Sequence, residues 1–146
     1  MSLERLEPFV GEWTLEAVFE GAETGGTGGR TSFEWALGGR FLIQRAGVEH
    51  PDAPDLFAVI APDADGDGFT QHYFDSRGVV RIYAMTLRDG VWTLLRETSD
   101  LTPLSFRQRY VGEFSEDGNV IDGRWETGTD DGGWELDFGL KYTRAD

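Results

Sequence analysis

GEWTLEAVFE, residues 11–20, decides how the rest of the chain is read. From Trp13 one parity carries Trp13, Leu15, Ala17 and Phe19, and the other carries Thr14, Glu16, Val18 and Glu20. Successive side chains leave a pleated backbone on opposite sides. Apolar residues alternating with mostly polar ones therefore predict a half-buried strand. The end of the chain repeats the pattern, with Trp134, Leu136, Phe138, Leu140 and Tyr142 set against Glu135, Asp137, Gly139, Lys141 and Thr143. Between them, Phe33, Trp35 and Leu37 alternate with Ser32, Glu34 and Ala36. Likewise Phe106, Gln108, Tyr110, Gly112 and Phe114 alternate with Ser105, Arg107, Arg109, Val111 and Glu113. The latter series turns Arg107 and Arg109 outward as a solvated face rather than an anion site.

Turn signals punctuate these runs at GGTGG 25–29, GG 38–39, PDAP 51–54, DGDG 65–68, DSRG 75–78, RDG 88–90, LTP 101–103, EDGN 116–119 and TDDGG 129–133. They divide residues 1–146 into ten strands, near 11–20, 30–37, 40–49, 56–62, 69–75, 79–88, 91–98, 105–115, 119–128 and 133–143. Short links favour antiparallel neighbours, and a long meander hides its edges by closing. The expected fold is all-β: one domain, an up-and-down antiparallel meander closed into a barrel. A short helical turn over Ser2–Phe9, with Leu3, Leu6 and Phe9 facing inward, would plug one end.

Bulk properties narrow the function. A chain of 146 residues with 20 glycines and nineteen aromatics (five Trp, four Tyr, ten Phe) suits strands. Its net charge of −14 repels phosphate backbones and anionic lipids, which argues against nucleic-acid and membrane partners. No apolar run approaches a membrane span, and MSLERLEPFV lacks the features of a signal peptide. No cysteine is present, which removes disulfides, thiolate metal sites and thiol nucleophiles, and the expected compartment is the cytoplasm.

Gly11-Glu12-Trp13 at the head of the first strand resembles the opening motif of lipocalins, fatty-acid-binding proteins and related calycin barrels. In those families the Trp closes the barrel base beneath a basic residue of the last strand. The resemblance gives that part to Arg144, after Tyr142-Thr143. From VGEW through YFDSRGV to KYTR the chain also resembles uncharacterised bacterial lipocalin-like proteins. The GAETGGTGGR segment, residues 21–30, is too short for the helical lid of fatty-acid-binding proteins. Nitrobindin-like haem barrels share the lidless ten-strand plan, but they carry a longer glycine-rich motif and a late haem-binding His. Here no His follows His72. The resemblance implies a lipocalin-like barrel with a ligand cavity and no obligatory cofactor. Haem held by His72 or a Tyr is the enzymatic alternative, beside a cofactor-free isomerase or hydrolase.

The remaining motifs favour structure over chemistry. Asp63-Ala-Asp65-Gly-Asp67-Gly68 is half of a calcium loop whose twelfth position is Phe74 instead of Glu, so an acidic turn is expected. GGTGG lacks the Lys and the helix of a phosphate loop. Ser76 beside His72 and Asp75 sits on a turn and makes no triad. His50 and His72 lack zinc-ligand spacing. Gln44 and Arg45, Arg96 and Glu97, and Arg124 and Glu126 are read as mostly facing water, with Arg96 beneath Trp92 as the exception to consider.

The hairpin HYFDSRGVVRIY, residues 72–83, offers the best binding groups. Asp75 first and Gly78 fourth favour a type I turn closed by a G1 bulge, which opposes Tyr73 with Arg81 and Gln71 with Tyr83, over a plain two-residue turn, which would pair His72 with Arg81. Either face can look inward: Phe74, Val80 and Ile82 with His72, or Gln71, Tyr73, Arg81 and Tyr83. Met85 and Leu87 continue the second set and tip the reading toward it. The expected ligand-binding residues are Gln71, Tyr73, Arg81, Tyr83, Trp35, Tyr110 and His72. Trp13, Phe19, Trp35, Phe106, Tyr110, Trp134 and Phe138 would form the apolar wall. The leading function is binding of a small amphipathic or acidic molecule. An enzyme and a filled interaction scaffold are the alternatives, and a homodimer is compatible with each.

Overall fold

The computed structural model describes residues 2–19, 27–48, 55–64, 68–99 and 106–145. A 3-10 helix, Ser2–Phe9, leads into ten strands: β1 (Gly11–Phe19), β2 (Thr27–Ala36), β3 (Phe41–Val48), β4 (Leu56–Pro62), β5 (Phe69–Asp75), β6 (Val80–Arg88), β7 (Val91–Arg96), β8 (Gln108–Phe114), β9 (Val120–Gly128) and β10 (Trp134–Arg144). Each pairs antiparallel with its sequence neighbours, and β1 pairs with β10, so the barrel is closed. Closure leaves no unpaired edge, as the meander requires. Trp13, Leu15, Phe33, Leu42, Ile60, Met85, Leu94, Tyr110, Ile121 and Tyr142 point inward and are buried, as alternation predicts.

Three placements differ from the sequence reading. β2 begins at Thr27, where Gly28 and Gly29 pair with Glu16 and Leu15. Ladder bonds use only backbone, so glycines that read as loop still extend the sheet. Phe106 lies ahead of β8 and is 42% exposed, because alternation stops placing side chains where pairing stops. Trp134 and Leu136 are on the outer face. A bulge between Leu136 and Phe138 sets Leu136 opposite Glu126 and Phe138 opposite Trp125, so Asp137 is the extra residue and the faces exchange. Leu136 is accordingly 48% exposed. Trp134 stacks instead with the guanidinium groups of Arg107 and Arg109, at 4.6 and 4.4 Å from its ring centroid.

The helix seals one end as expected. Leu6 and Phe9 are fully buried, and the Phe9 ring meets Phe33, Trp92 and Phe114 at centroid distances of 5.1, 4.8 and 5.2 Å. The indole N–H of Trp13 donates to the Phe9 carbonyl at 2.8 Å. Arg144 lies over the Trp13 ring at 4.1 Å and donates to the carbonyls of Val10 (2.8 Å), Pro8 (2.7 Å) and Gly118 (3.4 Å). One guanidinium thus joins the chain's two ends and satisfies three carbonyls that have no ladder partner.

Replacing that guanidinium, as in Arg144→Met, should lower the unfolding free energy by about 2–4 kcal/mol in urea titrations at unchanged slope. Arg124→Met on the solvated outer face should change it by less than about 0.5 kcal/mol.

Candidate functional site

The β5–β6 hairpin takes the bulged register. Gly78 N–H donates to the Asp75 carbonyl at 2.9 Å, and Asp75 N–H donates to the Val79 carbonyl at 3.1 Å. Gly78 has φ +84, a conformation in which a Cβ is strained. Tyr73 faces Arg81 and Gln71 faces Tyr83 across the ladder. Both arms therefore turn the same parity inward. Gln71, Tyr83 and Met85 are buried, Tyr73 packs against the core, and Phe74 is 38% exposed.

Gln71, Tyr73, Arg81 and Tyr83 are thereby brought together on the inner face. The Tyr73 and Tyr83 rings meet edge-to-face at 6.1 Å. Arg81 Nε is buried and has no hydrogen-bond partner. Tyr73 donates its hydroxyl to Asp75 at 2.8 Å, and Arg77 donates to the same carboxylate through Nε (3.2 Å), Nη2 (2.6 Å) and its backbone N–H (2.9 Å). Burial alone would raise the Asp75 carboxyl. The Arg77 and Tyr73 hydrogen bonds and the Arg77 charge outweigh it and hold the group at about 2. Burial first, then the Asp75 hydrogen bond and charge, push the Tyr73 phenol well above its ordinary value. Asp75 is thus committed to the hairpin.

The other expected site residues are dispersed. Tyr110 points inward, but its hydroxyl donates to the Leu140 carbonyl at 3.1 Å and its ring lies against Gly112 and Gly123. A Cβ on Gly112 would come within 2.8 Å of that ring. Burial raises the phenols of Tyr110 and Tyr142. Trp35 sits at the helix end, its indole N–H donating to Glu7 at 3.2 Å. His72 is on the outer face, between its ladder partners Val59 and Ile82, near the outward Phe57–Phe74 pair. Alternation sends it away from Gln71 and Tyr73, so it shares no interior surface with them. Arg107 and Arg109 face outward as expected.

Several interior polar groups were not expected. Gln44 is buried, donating to Thr31 Oγ1 at 3.2 Å and accepting from Gln71 at 3.3 Å, and it also hydrogen-bonds Tyr142. Arg96, weighed as the exception that could lie beneath Trp92, is 4% exposed on the parity of Trp92 and Leu94. It stands opposite Gln108, whose side-chain oxygen accepts from Tyr83 at 3.3 Å. Trp125 joins them, 5.6 Å from Tyr83 and 5.3 Å from Tyr110. For Gln44 the missed signal was its parity with Leu42 and Ala46. A polar residue on an apolar parity is a buried polar residue, not an interruption.

Asp63 accepts a hydrogen bond from Thr70, as in an acidic turn. Asp65, Asp67, His50 and Gly25-Gly26 lie outside the described residues. Among the described residues no group of three His, Cys, Asp or Glu side chains is arranged to hold a metal.

No family model matches the chain, and no curated protein does. Among solved structures it is similar to the crystal structure of Rv2717c from M. tuberculosis, with a TM-score of 0.66 and 13% identity over 99% of this chain and 98% of that one. At that identity the likeness extends to the barrel fold alone.

Two titrations follow from this geometry. The Asp75 carboxyl is lowered by folding, so its stabilisation is present above its ordinary 3.8 and lost as pH falls toward about 2. Asp75→Asn should therefore cost about 1–2 kcal/mol near neutrality, and the gap between native and variant stability should close below pH ~3 in denaturant titrations. The raised phenols stabilise the fold below their ordinary 10.0, and that contribution is lost in stronger alkali. Phenolate absorbance should show Tyr73, Tyr110 and Tyr142, three of the four tyrosines, ionising only as the protein unfolds.

Proposed function

We propose that the protein is a calycin-type barrel that binds a small acidic molecule in its interior, through the end opposite the helix. The Gly11-Glu12-Trp13 motif capped by Arg144 supports the calycin assignment. The buried, unpartnered Nε of Arg81 carries the binding assignment. An uncompensated buried donor costs about 1–3 kcal/mol, a cost that an anion accepting from Arg81 would relieve. Tyr73 opposes Arg81 and Gln71 opposes Tyr83 across the ladder, so the four share one face of the hairpin. A carboxylate on Arg81 makes charge-assisted hydrogen bonds in a largely dry setting, which are roughly twice as strong as neutral ones.

Calorimetric titration of native protein with a mixed panel of organic acids, aliphatic and aromatic, tests this reading. At least one acid should bind with one-to-one stoichiometry, and Arg81→Ala should weaken it by about tenfold or more. Equal affinity for native and Arg81→Ala protein would remove Arg81 from the site. Silence across the panel would remove the binding assignment.

A further inference from the structure

The outward faces of the ten strands are not alike. Across β8, β9, β10 and β1 one ladder row reads Glu113, Asp122, Lys141 and Glu16. Across β3, β4, β5 and β6 a row reads Ile43, Val59, His72 and Ile82 instead. The next row on these strands is Arg45, Phe57, Phe74 and Val80. The row on the other side runs through Ala61, Thr70 and Ala84 to Leu95 on β7. The chain holds 27 Asp and Glu residues, yet none of them falls in these three rows.

Two rings on this face are open to solvent. Phe57 and Phe74 are 36% and 38% exposed, with centroids 6.4 Å apart. Single exposed apolar residues are ordinary on an antiparallel sheet, but a contiguous block is not. Four strands at ~4.8 Å spacing and three outward positions at a ~6.7 Å repeat make a block of roughly 400 Å². Patches of that size with a polar rim mark places where proteins meet. The rim is present on both sides. Arg45 pairs with Glu34 on the β2 side. Glu97, the residue after β7, pairs with Arg107 at 3.6 Å and keeps 47% of its side chain exposed.

We infer that this face joins two copies of the chain, about a two-fold axis running along β5. A second copy brings the same net charge of −14, so the two can touch only through surface free of carboxylates, which these rows supply. A two-fold axis also sets each residue on it against its own copy, where a charged group would meet its like. The outward residues of β5 are Thr70, His72 and Phe74, with no carboxylate or guanidinium among them. The same axis lays β4 of one copy over β6 of the other. Phe57 then meets Val80 and Val59 meets Ile82, since each pair shares a ladder row. It lays β3 over β7, which brings Arg45 within an arginine's reach of Glu97 on the other copy, so the borders meet with opposite charge. The apolar block is about half of the ~800 Å² per partner of a standard interface, and the charged borders supply the rest. Self-association is therefore expected between about 10 µM and 1 mM. The contact uses the outer wall alone and does not depend on a ligand inside the barrel.

Sedimentation equilibrium of the full chain tests this. The mass should rise with concentration from 16.3 kDa to twice that value. Salt should tighten the dimer by about fivefold or more between about 0.02 and about 0.5 M NaCl, because screening weakens the repulsion between the copies. Phe74→Glu should abolish the dimer, while Val18→Glu, at an exposed outer position of β1, should leave it unchanged. Arg45→Glu should weaken it, and adding Glu97→Arg should restore it. Near-ultraviolet circular dichroism establishes that each variant keeps the barrel, and Ile82→Glu replaces Phe74→Glu if that variant does not fold. A chain that remains at 16.3 kDa up to about 1 mM would overturn the second copy as the occupant. Dimers that survive a folded Phe74→Glu or Ile82→Glu would overturn the face. Dimers that weaken with salt would overturn the charge argument, and a charge exchange that restores nothing would overturn the axis.

Discussion

The structure depends on the contact between Trp13 and Arg144. Closing a ten-strand meander means joining β1 to β10, whose sequence separation is nearly the whole chain. Such a long-range pairing has no local turn to hold it, and its loop-closure entropy must be offset by contacts at the seam. Arg144 supplies them at one point, lying over the Trp13 indole and taking up three carbonyls around it. Trp13 in turn donates to Phe9. Seam, last strand and plugging helix are thus held by two neighbouring side chains, and the ring cluster around Phe9 follows from them.

The barrel interior is not uniformly apolar. A core that needed only stability would fill it with aliphatic groups. Instead it keeps Thr31, Gln44, Gln71, Arg96 and Gln108 buried. Neutral groups there largely satisfy one another through the Thr31–Gln44–Gln71 chain and the Tyr83–Gln108 bond. Asp75 is likewise satisfied, by Tyr73 and Arg77 on its own hairpin. Two buried side-chain donors have no such partner among the described residues, Arg81 Nε and Trp92 Nε1. Polar interiors are tolerated when fully connected and become conspicuous when they are not.

The outer surface shows how one inserted residue redistributes chemistry. The bulge at Asp137 turns Trp134 out of the wall and under Arg107 and Arg109, and Arg109 is also paired with Glu126 at 2.8 Å. Two arginines that looked like solvated charge are therefore packed on a ring. His72 moved in the opposite sense, from a prospective ligand to an outer-face neighbour of Val59 and Ile82.

Strand existence, strand order and the two ends of the barrel were determined by the sequence alone. Period-two alternation and turn residues are local signals, and Trp13, Arg144, Leu6 and Phe9 announce themselves by position. The hairpin turn was legible too, because Asp75 and Gly78 specify a bulged turn by their own backbone preferences. Which parity faces inward was only tilted by the sequence, and tertiary structure decided it. The β5–β6 pair carries usable apolar groups on both faces, so only pairing with β4 and β7 on either side distinguishes Phe69, Gln71 and Tyr83 from Phe74 and Ile82. The burial of Gln44 and Arg96, the bulge that expels Trp134, and the meeting of Trp125 with Tyr83 were likewise decided by closure. Each depends on partners far away in the chain, and no local pattern encodes a neighbour that arrives from another strand.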